Sequence, residues 1–506
     1  MNRKTGIFFS ALIVAIGGII YEMIIGTTAS YLLGNGVLHF SLTIGIFLAG
    51  MGIGSYLSSY ISSKPEQNFI LIEILLGLFG GSSVSILFAT FAYTELFYLV
   101  FTVLIGGIGI LIGTEIPMFL AILKDRSGNE MRELTAKILS IDYLGALIAS
   151  IAFPMILLPQ FGLLRTSFLV GIINLLVGGL MLVSFSEIVR KKLLSFLLVL
   201  SFTVLISGFL KYGMLTDWFN KGLYQDEVIY NEQSTYQSIV ITQFNTDLRL
   251  YLDGNIQFSA TDEYRYHEPL VHVPISYSDH IPTTILILGG GDGLVARELL
   301  KYEEVENITL VDLDPSVTDL AQTFKPLLDI NNNSLNNEKV SVINQDAFNY
   351  LQNTSELYDL IIVDLPDPNN ESLAKLYSIE FYNLISRHLS NQGLMVTQAI
   401  SPYYTNKTFW NINTSLREVF EFTYPYHNQV PSFGDWGFIM ASNNELTFME
   451  NTSFPEENNL INNEESVTNL FYFDSDLSEP INGGEVSTLF DPKILYSYEQ
   501  EIRLWQ

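Results

Sequence analysis

The chain has 506 residues, too many for one ordinary domain, and it carries 25 Lys+Arg against 53 Asp+Glu, a formal net charge of −28. It contains no cysteine, which excludes disulfides, thiolate metal sites and cysteine nucleophiles. A protein with this negative charge repels nucleic acid phosphates and favours cationic ligands. A nucleic acid partner is therefore not expected.

The composition changes near residue 212. Residues 1–212 are apolar and carry 12 Lys+Arg and 10 Asp+Glu, a net charge of +2. Because the whole chain carries −28, residues 213–506 carry a net charge of −30. We therefore predict an all-α transmembrane domain over 1–212, a small β-sheet domain over 213–260 and a Rossmann-like α/β domain over 261–506.

Seven apolar runs of the first domain are long enough to cross a bilayer as helices. They lie at 6–33, 40–61, 69–91, 95–122, 137–159, 163–185 and 193–210. Basic residues precede the first run and follow the even-numbered runs, among them Lys64, Lys124, Arg126 and Arg190. This bias predicts a multi-pass cell-membrane protein with a cytoplasmic N-terminus.

Four acidic residues interrupt the apolar runs: Glu22, Glu73, Glu115 and Asp142. Carboxylates in lipid are costly and usually face a partner or a wet cavity. Two explanations remain open, a cation-binding site within the bundle and protonated acids that hydrogen-bond between helices. Glycines recur at spacings typical of close helix packing, as at Gly50, Gly52, Gly54, Gly106–Gly107 and Gly178–Gly179.

The acidic region begins with short β-branched runs and an Asp253-Gly254 turn, which predict a small antiparallel sheet. A helix is expected to begin near Asp262. Beyond it, apolar strands alternate with helices, with strands expected at 285–288, 308–313, 340–343, 359–365 and 393–399. This rhythm predicts a parallel sheet covered on both faces, with ligands beyond the carboxyl ends of its strands. Residues 441–482 are rich in Asn, Glu and Ser and predict a mobile insertion.

The first of these strands enters a glycine-rich turn, Gly289 to Gly293, that contains Asp292. Such a turn lets the backbone approach a ligand at a helix N-terminus. The turn is not a full dinucleotide fingerprint, because Ala296 replaces the last small residue. Asp312, about twenty residues on, stands where a carboxylate accepts ribose hydroxyls, and Asp346 follows the third strand. Together these residues predict a nucleoside site.

The fourth strand ends in Asp364-Leu365-Pro366-Asp367-Pro368. Two carboxylates at this edge repel an anion and attract a cation, and with Asp292 they form a ring of negative charge. The alternative is a solvated turn whose acids accept hydrogen bonds from the backbone.

These motifs resemble the spermidine synthase family, the polyamine aminopropyltransferases. The shared stretches, between about Leu223 and Ala441, are STYQ, LDGNIQ, DEYRYHE, LILGGGDG, VDLDP, QDA, DLIIVDLPDP and LYSIEFY. The N-terminal part resembles the multi-span extension of some bacterial members. The resemblance implies aminopropyl transfer from decarboxylated S-adenosylmethionine to an amine, by default putrescine, giving spermidine and methylthioadenosine. It implies no metal and no permanently bound cofactor, and a homodimer.

The resemblance also implies roles for individual residues. Asp364 would be the catalytic base, and Tyr266, Asp364 and Asp367 would contact the acceptor amine. Asp292 is expected to pair with the donor's ammonium and to repel the carboxylate of intact S-adenosylmethionine. The residues implied to contact the donor are Gln237, His267, Gly289, Gly291, Asp292, Asp312, Asp346 and Ala347.

One segment departs from the family's pattern. Where soluble members carry Tyr-Pro-Ser-Gly with the tyrosine on the acceptor, this chain has QVPSFGDWGF at 429–438, with Val430 or Pro431 at the place of the tyrosine. Asp435 and Trp436 are the candidates to replace part of that contact. The acceptor's identity therefore stays open.

Two other functions stay open as well. A methyltransferase using S-adenosylmethionine shares the fold, although Asp292, Asp364 and Asp367 argue against it. A membrane polyamine transporter or sensor with a catalytically degenerate domain is the second. The side of the membrane is open too, because an odd number of crossings places the acidic region outside the cell, whereas the nucleoside donor is made inside.

Overall fold

The structure, a computed structural model, describes residues 3–33, 36–61, 64–123, 128–185, 188–449, 454–481 and 483–505. The chain divides into two compact units, Met1–Val228 and Ile229–Gln506. Lys124 and Arg126, two of the basic residues behind the predicted sidedness, lie outside the described residues.

The described part of the first unit up to Leu223 is helical. Its helices are α1 Arg3–Leu33, α2 Gly36–Ser58, α3 Pro65–Gly81, α4 Ser83–Tyr93, α5 Phe97–Gly113, α6 Glu115–Ile122, α7 Gly128–Ala152, α8 Leu158–Ser184, α9 Lys191–Leu210 and α10 Tyr212–Leu223. A π-helical turn, Phe153–Leu157, joins α7 to α8. The predicted boundary after residue 212 therefore falls in the first turn of α10, whereas the two compact units divide between Val228 and Ile229.

Five helices of the described residues are long and apolar enough to cross a membrane, or six if the bent pair α3 and α4 counts as one span. The sequence predicts seven spans. The difference lies in two places: the bent pair α3 and α4 is not among the five, and Met131–Ser184 counts there as one helix of 54 residues. A helix of that length extends about 80 Å, well beyond the ~30 Å hydrocarbon core of a bilayer. Gly162, with φ of 67°, breaks the helical geometry inside it, between the two runs predicted at 137–159 and 163–185.

Helices α2 and α5 approach each other backbone to backbone. A Cβ added at Gly50 would lie 2.6 Å from the Gly106 carbonyl oxygen, and one added at Gly113 would lie 2.1 Å from that of Met51. Glycine is required at these positions because no side chain fits between the helices. Gly52 and Gly107 have no atom within 4 Å of such a Cβ, so the predicted packing role does not extend to them.

The second unit begins with a four-stranded sheet in the order β1-β2-β3-β4, in which β2, β3 and β4 pair antiparallel. Its strands are β1 Glu227–Gln233, β2 Ser238–Phe244, β3 Asp247–Leu252 and β4 Asn255–Ser259. The turn between β3 and β4 places Asp253 at φ 48° and Gly254 at φ 80°, a pair of left-handed residues typical of a tight hairpin.

A seven-stranded sheet follows, with the order β10-β11-β9-β8-β5-β6-β7. Its strands are β5 Thr284–Gly289, β6 Asn307–Asp312, β7 Val340–Asn344, β8 Tyr358–Asp364, β9 Leu389–Gln398, β10 Phe422–Val430 and β11 Gly434–Ser442. Strands β5 to β9 are parallel, and the hairpin β10–β11 adds two antiparallel strands at one edge. This is the expected Rossmann-like sheet.

Helices cover both faces of this sheet. They are α11 Tyr264–Ser276, α12 Leu294–Leu299, α13 Pro315–Thr323, α14 Lys325–Asn331, α15 Ala347–Asn353, α16 Glu371–Ala374, α17 Ile379–Arg387, α18 Asn406–Arg417, α19 Glu464–Thr468 and α20 Lys493–Ile502, with 3₁₀ turns at Ser334–Asn336, Lys375–Tyr377 and Asn469–Phe471. Alternate residues of β5 belong to different cores: Ile285 and Ile287 to one, Leu286 and Leu288 to the other. The continuous apolar strand thus reflects burial on both faces.

The structure differs from the prediction of a mobile insertion at residues 454–481. Ile461 and Val467 are fully buried in the core of the second unit. The Glu268 carboxylate accepts hydrogen bonds from the backbone N–H groups of Asn459, Leu460 and Ile461. The polar composition that suggested mobility includes side chains that cap helices, as Asn463 does for α19. Residues 450–453 and 482 of that stretch lie outside the described residues.

Candidate active site

The glycine-rich turn after β5 presses against the end of β8. Gly289 pairs with Asp364 across the parallel strands, and Gly290 N–H donates to the Asp364 carbonyl oxygen at 3.1 Å. A Cβ added at Gly289 would lie 2.0 Å from that oxygen, and Gly289 has φ of 88°. The turn therefore admits only glycine there, and it brings the Asp292 loop to the Asp364 strand end.

Asp364, at the end of β8, accepts a short side-chain hydrogen bond. The Tyr266 hydroxyl, from the first turn of α11, donates to Asp364 Oδ1 at 2.6 Å. Burial raises the pKa of Asp364 to about 6, while His267 and the Tyr266 hydrogen bond favour its ionised form and Asp292 opposes it. Its side chain stays partly exposed, so a ligand can reach it. This is a carboxyl poised between its two protonation states near neutral pH.

His267 interacts electrostatically with Asp292 and Asp364. Its Nδ1 donates to Glu263 Oε2 at 2.8 Å, and Arg297 Nη2 donates to the same oxygen at 2.9 Å. Burial lowers the pKa of His267, but the Glu263 hydrogen bond and charge outweigh it, so the pKa is raised. Asp292, which is 9% exposed, has a raised pKa through burial, partly offset by His267. The His267 ring is thus held by Glu263 and favours the ionised forms of Asp292 and Asp364.

Asp312, at the end of β6, is held by the backbone. Its Oδ2 accepts from Gly291 N–H at 3.2 Å and its Oδ1 from Asp314 N–H at 2.9 Å. Burial nevertheless raises its pKa to about 6. A Cβ at Gly291 would lie 2.6 Å from Asp312 Oδ2, so the glycine is needed for this contact. The two strand ends and the glycine turn therefore form one edge, as the sequence predicts.

Asp367 is held by a residue that the sequence reasoning missed. The Tyr498 hydroxyl, on the C-terminal helix α20, donates to Asp367 Oδ2 at 2.9 Å. Burial raises the pKa of Asp367 to about 6, and this hydrogen bond acts against the rise. Tyr377, fully buried, donates to the Pro366 carbonyl oxygen at 3.0 Å and so fixes the turn between the two acids. No pattern near Tyr498 signals this contact, whereas Glu263 sits one helical turn before His267 within the quoted DEYRYHE motif.

Two other residues that are predicted to contact decarboxylated S-adenosylmethionine, Gln237 and Asp346, form hydrogen bonds within the protein. Gln237 Nε2 donates to Asp314 Oδ2 at 3.1 Å. Asp346 caps α15 through Asn349 N–H and pairs with Lys375 Nζ at 2.7 Å, and the capping and the ion pair lower its pKa against the effect of burial. Ala347, buried, is the first residue of α15. Neither Gln237 nor Asp346 contacts Asp364 directly, so their roles in binding decarboxylated S-adenosylmethionine remain predictions from the family pattern.

The segment 429–438 forms the end of β10, its turn and the start of β11. Asp435 pairs with His427 at 2.7 Å, so the prediction that it replaces an acceptor contact is not supported. Val430 is fully buried in the core. Trp436 does face the site: its ring centroid lies 6.4 Å from that of Tyr266, and its Nε1 has no partner among the described residues.

Residues 263–451 match the family model described as the spermine/spermidine synthase domain. A protein of Leptospira interrogans named polyamine aminopropyltransferase is 39% identical over 98% of this chain and 99% of its own length. One of Oceanobacillus iheyensis with the same name is 42% identical over 98% and 97%. The chain belongs to the polyamine aminopropyltransferase family.

The match to these aminopropyltransferases includes the N-terminal helical unit, since it extends over nearly the whole chain. Two solved spermidine synthases, one in complex with the transition state analogue AdoDATO and one from Thermotoga maritima, are each 27% identical. They cover 49% of this chain and 86% and 85% of their own, with TM-scores of 0.46 and 0.45. The identity of about 40% to the named aminopropyltransferases over nearly the whole chain shows that this chain is an aminopropyltransferase enzyme, and the methyltransferase alternative is set aside.

Proposed function

We propose that the chain transfers the aminopropyl group of decarboxylated S-adenosylmethionine to putrescine, producing spermidine and methylthioadenosine. The single observation that carries the proposal is the pairing of Asp364 with Tyr266 at 2.6 Å in a site where Asp292 and Asp367 add further negative charge. Both substrates are cations, and such a site favours them electrostatically.

The reaction is a single displacement. The acceptor's neutral amine nitrogen attacks the aminopropyl carbon next to sulfur, a new C–N bond forms, and the C–S bond breaks with its electron pair going to sulfur. The sulfonium thereby becomes a neutral thioether, so the leaving group needs no acid. The nitrogen gives up a proton to the Asp364 carboxylate, which Tyr266 orients. Holding the two substrates in line supplies much of the remaining acceleration.

The other acids recognise the substrates. Asp312 accepts the ribose hydroxyls of the donor, and Asp292 pairs with its terminal ammonium. An intact S-adenosylmethionine would bring a carboxylate towards Asp292, and like-charge repulsion then disfavours it. Asp367, held by Tyr498, binds the far ammonium of the diamine, which fixes the length of acceptor that fits. Trp436 and Phe433, whose rings lie 6.4 and 6.0 Å from that of Tyr266, supply the apolar contact for its methylenes.

We further propose that the first unit anchors the enzyme in the cell membrane as a multi-pass protein. The support is that five or six helices among the described residues of this unit have sufficient length and apolarity. The seven apolar runs of the sequence and the basic residues between them predict a cytoplasmic N-terminus. A reporter fused after Gln506 tests on which side the second unit lies, and it decides whether the donor is met inside or outside the cell.

The experiment incubates the purified chain with decarboxylated S-adenosylmethionine and a panel of amines of different length, and measures methylthioadenosine. We expect release with putrescine and a weaker or absent release with longer amines. Asp364→Asn keeps donor binding and abolishes release. A chain that binds the donor and releases nothing with any amine would instead be the transporter or sensor with a degenerate domain.

A further inference from the structure

The helical unit contains buried oxygen atoms that no donor of the described residues satisfies. Glu73 is fully buried, and neither of its carboxylate oxygens has a hydrogen-bond partner there. The same holds for the Tyr21 hydroxyl, Glu115 Oε1 and Asn174 Oδ1, in side chains that are 0%, 4% and 1% exposed. We call these four residues the oxygen cluster. Buried polar atoms without partners are rare in folded proteins, and each requires an explanation.

Glycines bring Tyr21 and Asn174 to the junction of α1, α3 and α8. The Tyr21 ring lies on Gly80 of α3, where an added Cβ would be 2.5 Å from the ring. Gly17, one helical turn before Tyr21 on α1, faces α8, and an added Cβ would be 2.7 Å from Asn174 Oδ1. The side chains of α1 and α8 therefore meet at one level of the bundle.

Glu73 reaches the same junction from α3. Gly178, one turn after Asn174 on α8, would place an added Cβ 3.2 Å from the Glu73 Cβ. Tyr21 interacts electrostatically with Glu73 and with Glu115. Three packed helices and the start of α6 therefore bring the four side chains of the oxygen cluster into one region of the bundle.

The chemistry of the cluster is one-sided. Its atoms are carboxylate, amide and hydroxyl oxygens, and within the described residues the charged side chains that act on Tyr21 and Glu115 are all acidic. Buried carboxylates without a compensating positive charge are strongly unfavourable. A set of oxygen ligands is what a hard cation requires.

The charge of the ion follows from the ligands. No group of three or more His, Asp and Glu side chains among the described residues is arranged to hold a metal ion. Two neighbouring buried carboxyl groups share one proton, because both cannot ionise together, and the single negative charge that is left, with neutral oxygens, matches a singly charged ion. We propose that the oxygen cluster binds an alkali-metal ion, Na⁺ or K⁺, within the helical unit.

The test uses the full chain in lipid nanodiscs and follows the thermal unfolding midpoint of the helical unit in NaCl, KCl or choline chloride at constant ionic strength. We expect the midpoint to rise with the concentration of Na⁺ or K⁺, because a ligand of the folded state stabilises it, and not with choline. Glu73→Gln keeps the side-chain shape and removes the charge. It should unfold at a higher temperature than the wild type in choline, and its midpoint should no longer depend on the alkali ion.

Two further variants sharpen the result. Tyr21→Phe keeps the ring on Gly80 and removes one ligand, so about tenfold more alkali ion should be needed for the same rise. Glu22→Gln is the matched control, since Glu22 is the next residue of α1 and outside the cluster, and it should respond as the wild type does.

Absence of any alkali-ion dependence in the wild type overturns the proposal, as does an undiminished dependence in both Glu73→Gln and Tyr21→Phe. If Glu73→Gln does not fold, Tyr21→Phe decides the matter. A response to pH alone means that the acids are protonated and hydrogen-bond between helices, and it also overturns the proposal. Methylthioadenosine release tests the proposed reaction separately, so the two can fail independently.

Discussion

Replacing Tyr498 by phenylalanine removes one hydroxyl from the acceptor side of the site. That hydroxyl donates to Asp367 Oδ2 at 2.9 Å. The ring of α20 keeps its packing, so the variant should fold normally. Because the hydrogen bond favours the ionised form of Asp367, its loss should raise the pKa of Asp367 above about 6.

The size of the effect follows from the kind of bond. A hydrogen bond to a charged group contributes about 1.5–3 kcal/mol, which corresponds to about 10- to 100-fold in an equilibrium constant. If Asp367 binds the far ammonium of the acceptor, that loss appears in the KM for the amine. We expect KM for putrescine to rise about tenfold or more at pH 7, kcat to change little, and KM for the donor to stay the same. The acid limb of kcat/KM for the amine should move to higher pH.

The assay measures methylthioadenosine release at saturating donor while the amine is varied, from pH 5.5 to 8.5. Tyr496→Phe is the matched control, because Tyr496 lies on the same helix and is 50% exposed. It should match the wild type. A Tyr498→Phe enzyme with an unchanged KM for the amine, or with its defect in the KM for the donor, would refute the assignment of Asp367 to the acceptor.

Three other predictions follow from the acids of the site. Asp364→Asn should lower kcat by about 10²- to 10⁴-fold, with donor affinity by calorimetry within about twofold of the wild type; near-normal turnover would exclude Asp364 as the base. The wild-type kcat/KM should fall as pH decreases through about 6, because Asp364 and Asp367 then take up protons; a profile flat from pH 5 to 7 would contradict this. Asp312→Asn should weaken donor binding, and its thermal midpoint relative to that of the wild type should rise between pH 4 and pH 7.5: the folded pKa of Asp312, about 6, exceeds the unfolded value of about 4, so the stabilisation that its protonated form gives the wild type is present below pH 4 and is lost as pH rises through 6. A difference between the two midpoints that stays the same from pH 4 to pH 7.5 would contradict the reasoning.

The strand edge that carries the predicted nucleoside-binding residues could be placed from the sequence because its parts are local. Gly289, Asp292 and Asp312 stand in motifs at the carboxyl ends of consecutive apolar strands, and a parallel sheet brings such ends to one edge. The structure places Gly291 N–H on Asp312 and the Gly289 turn against Asp364 without any long-range information beyond the strand order. Periodicity and turn chemistry are sufficient for such a site.

Residues 454–481 show where local patterns mislead, and Asp435 shows a contact that they do not reveal. Asp435 stands in the loop where a ligand contact is expected, and the register of β10 and β11 sets it near His427, with which its carboxylate pairs. Residues 454–481 have the composition of a mobile loop, yet Glu268 from α11 holds their backbone. In both cases the deciding partner is distant in sequence, and composition carries no information about it.

Tyr498 explains why the acceptor side was the least predictable part. The family model matches residues 263–451, so the helix that holds Asp367 lies beyond the region that the family pattern describes. The usual loop tyrosine is absent, and Val430 at its place is buried in the core. The Tyr498 hydroxyl, on the C-terminal helix α20, donates to Asp367, which lies 131 residues earlier in the chain. On the proposed assignment of Asp367 to the acceptor, the preferred amine depends on α20, and substitutions in that helix should change the preferred amine while donor binding is kept.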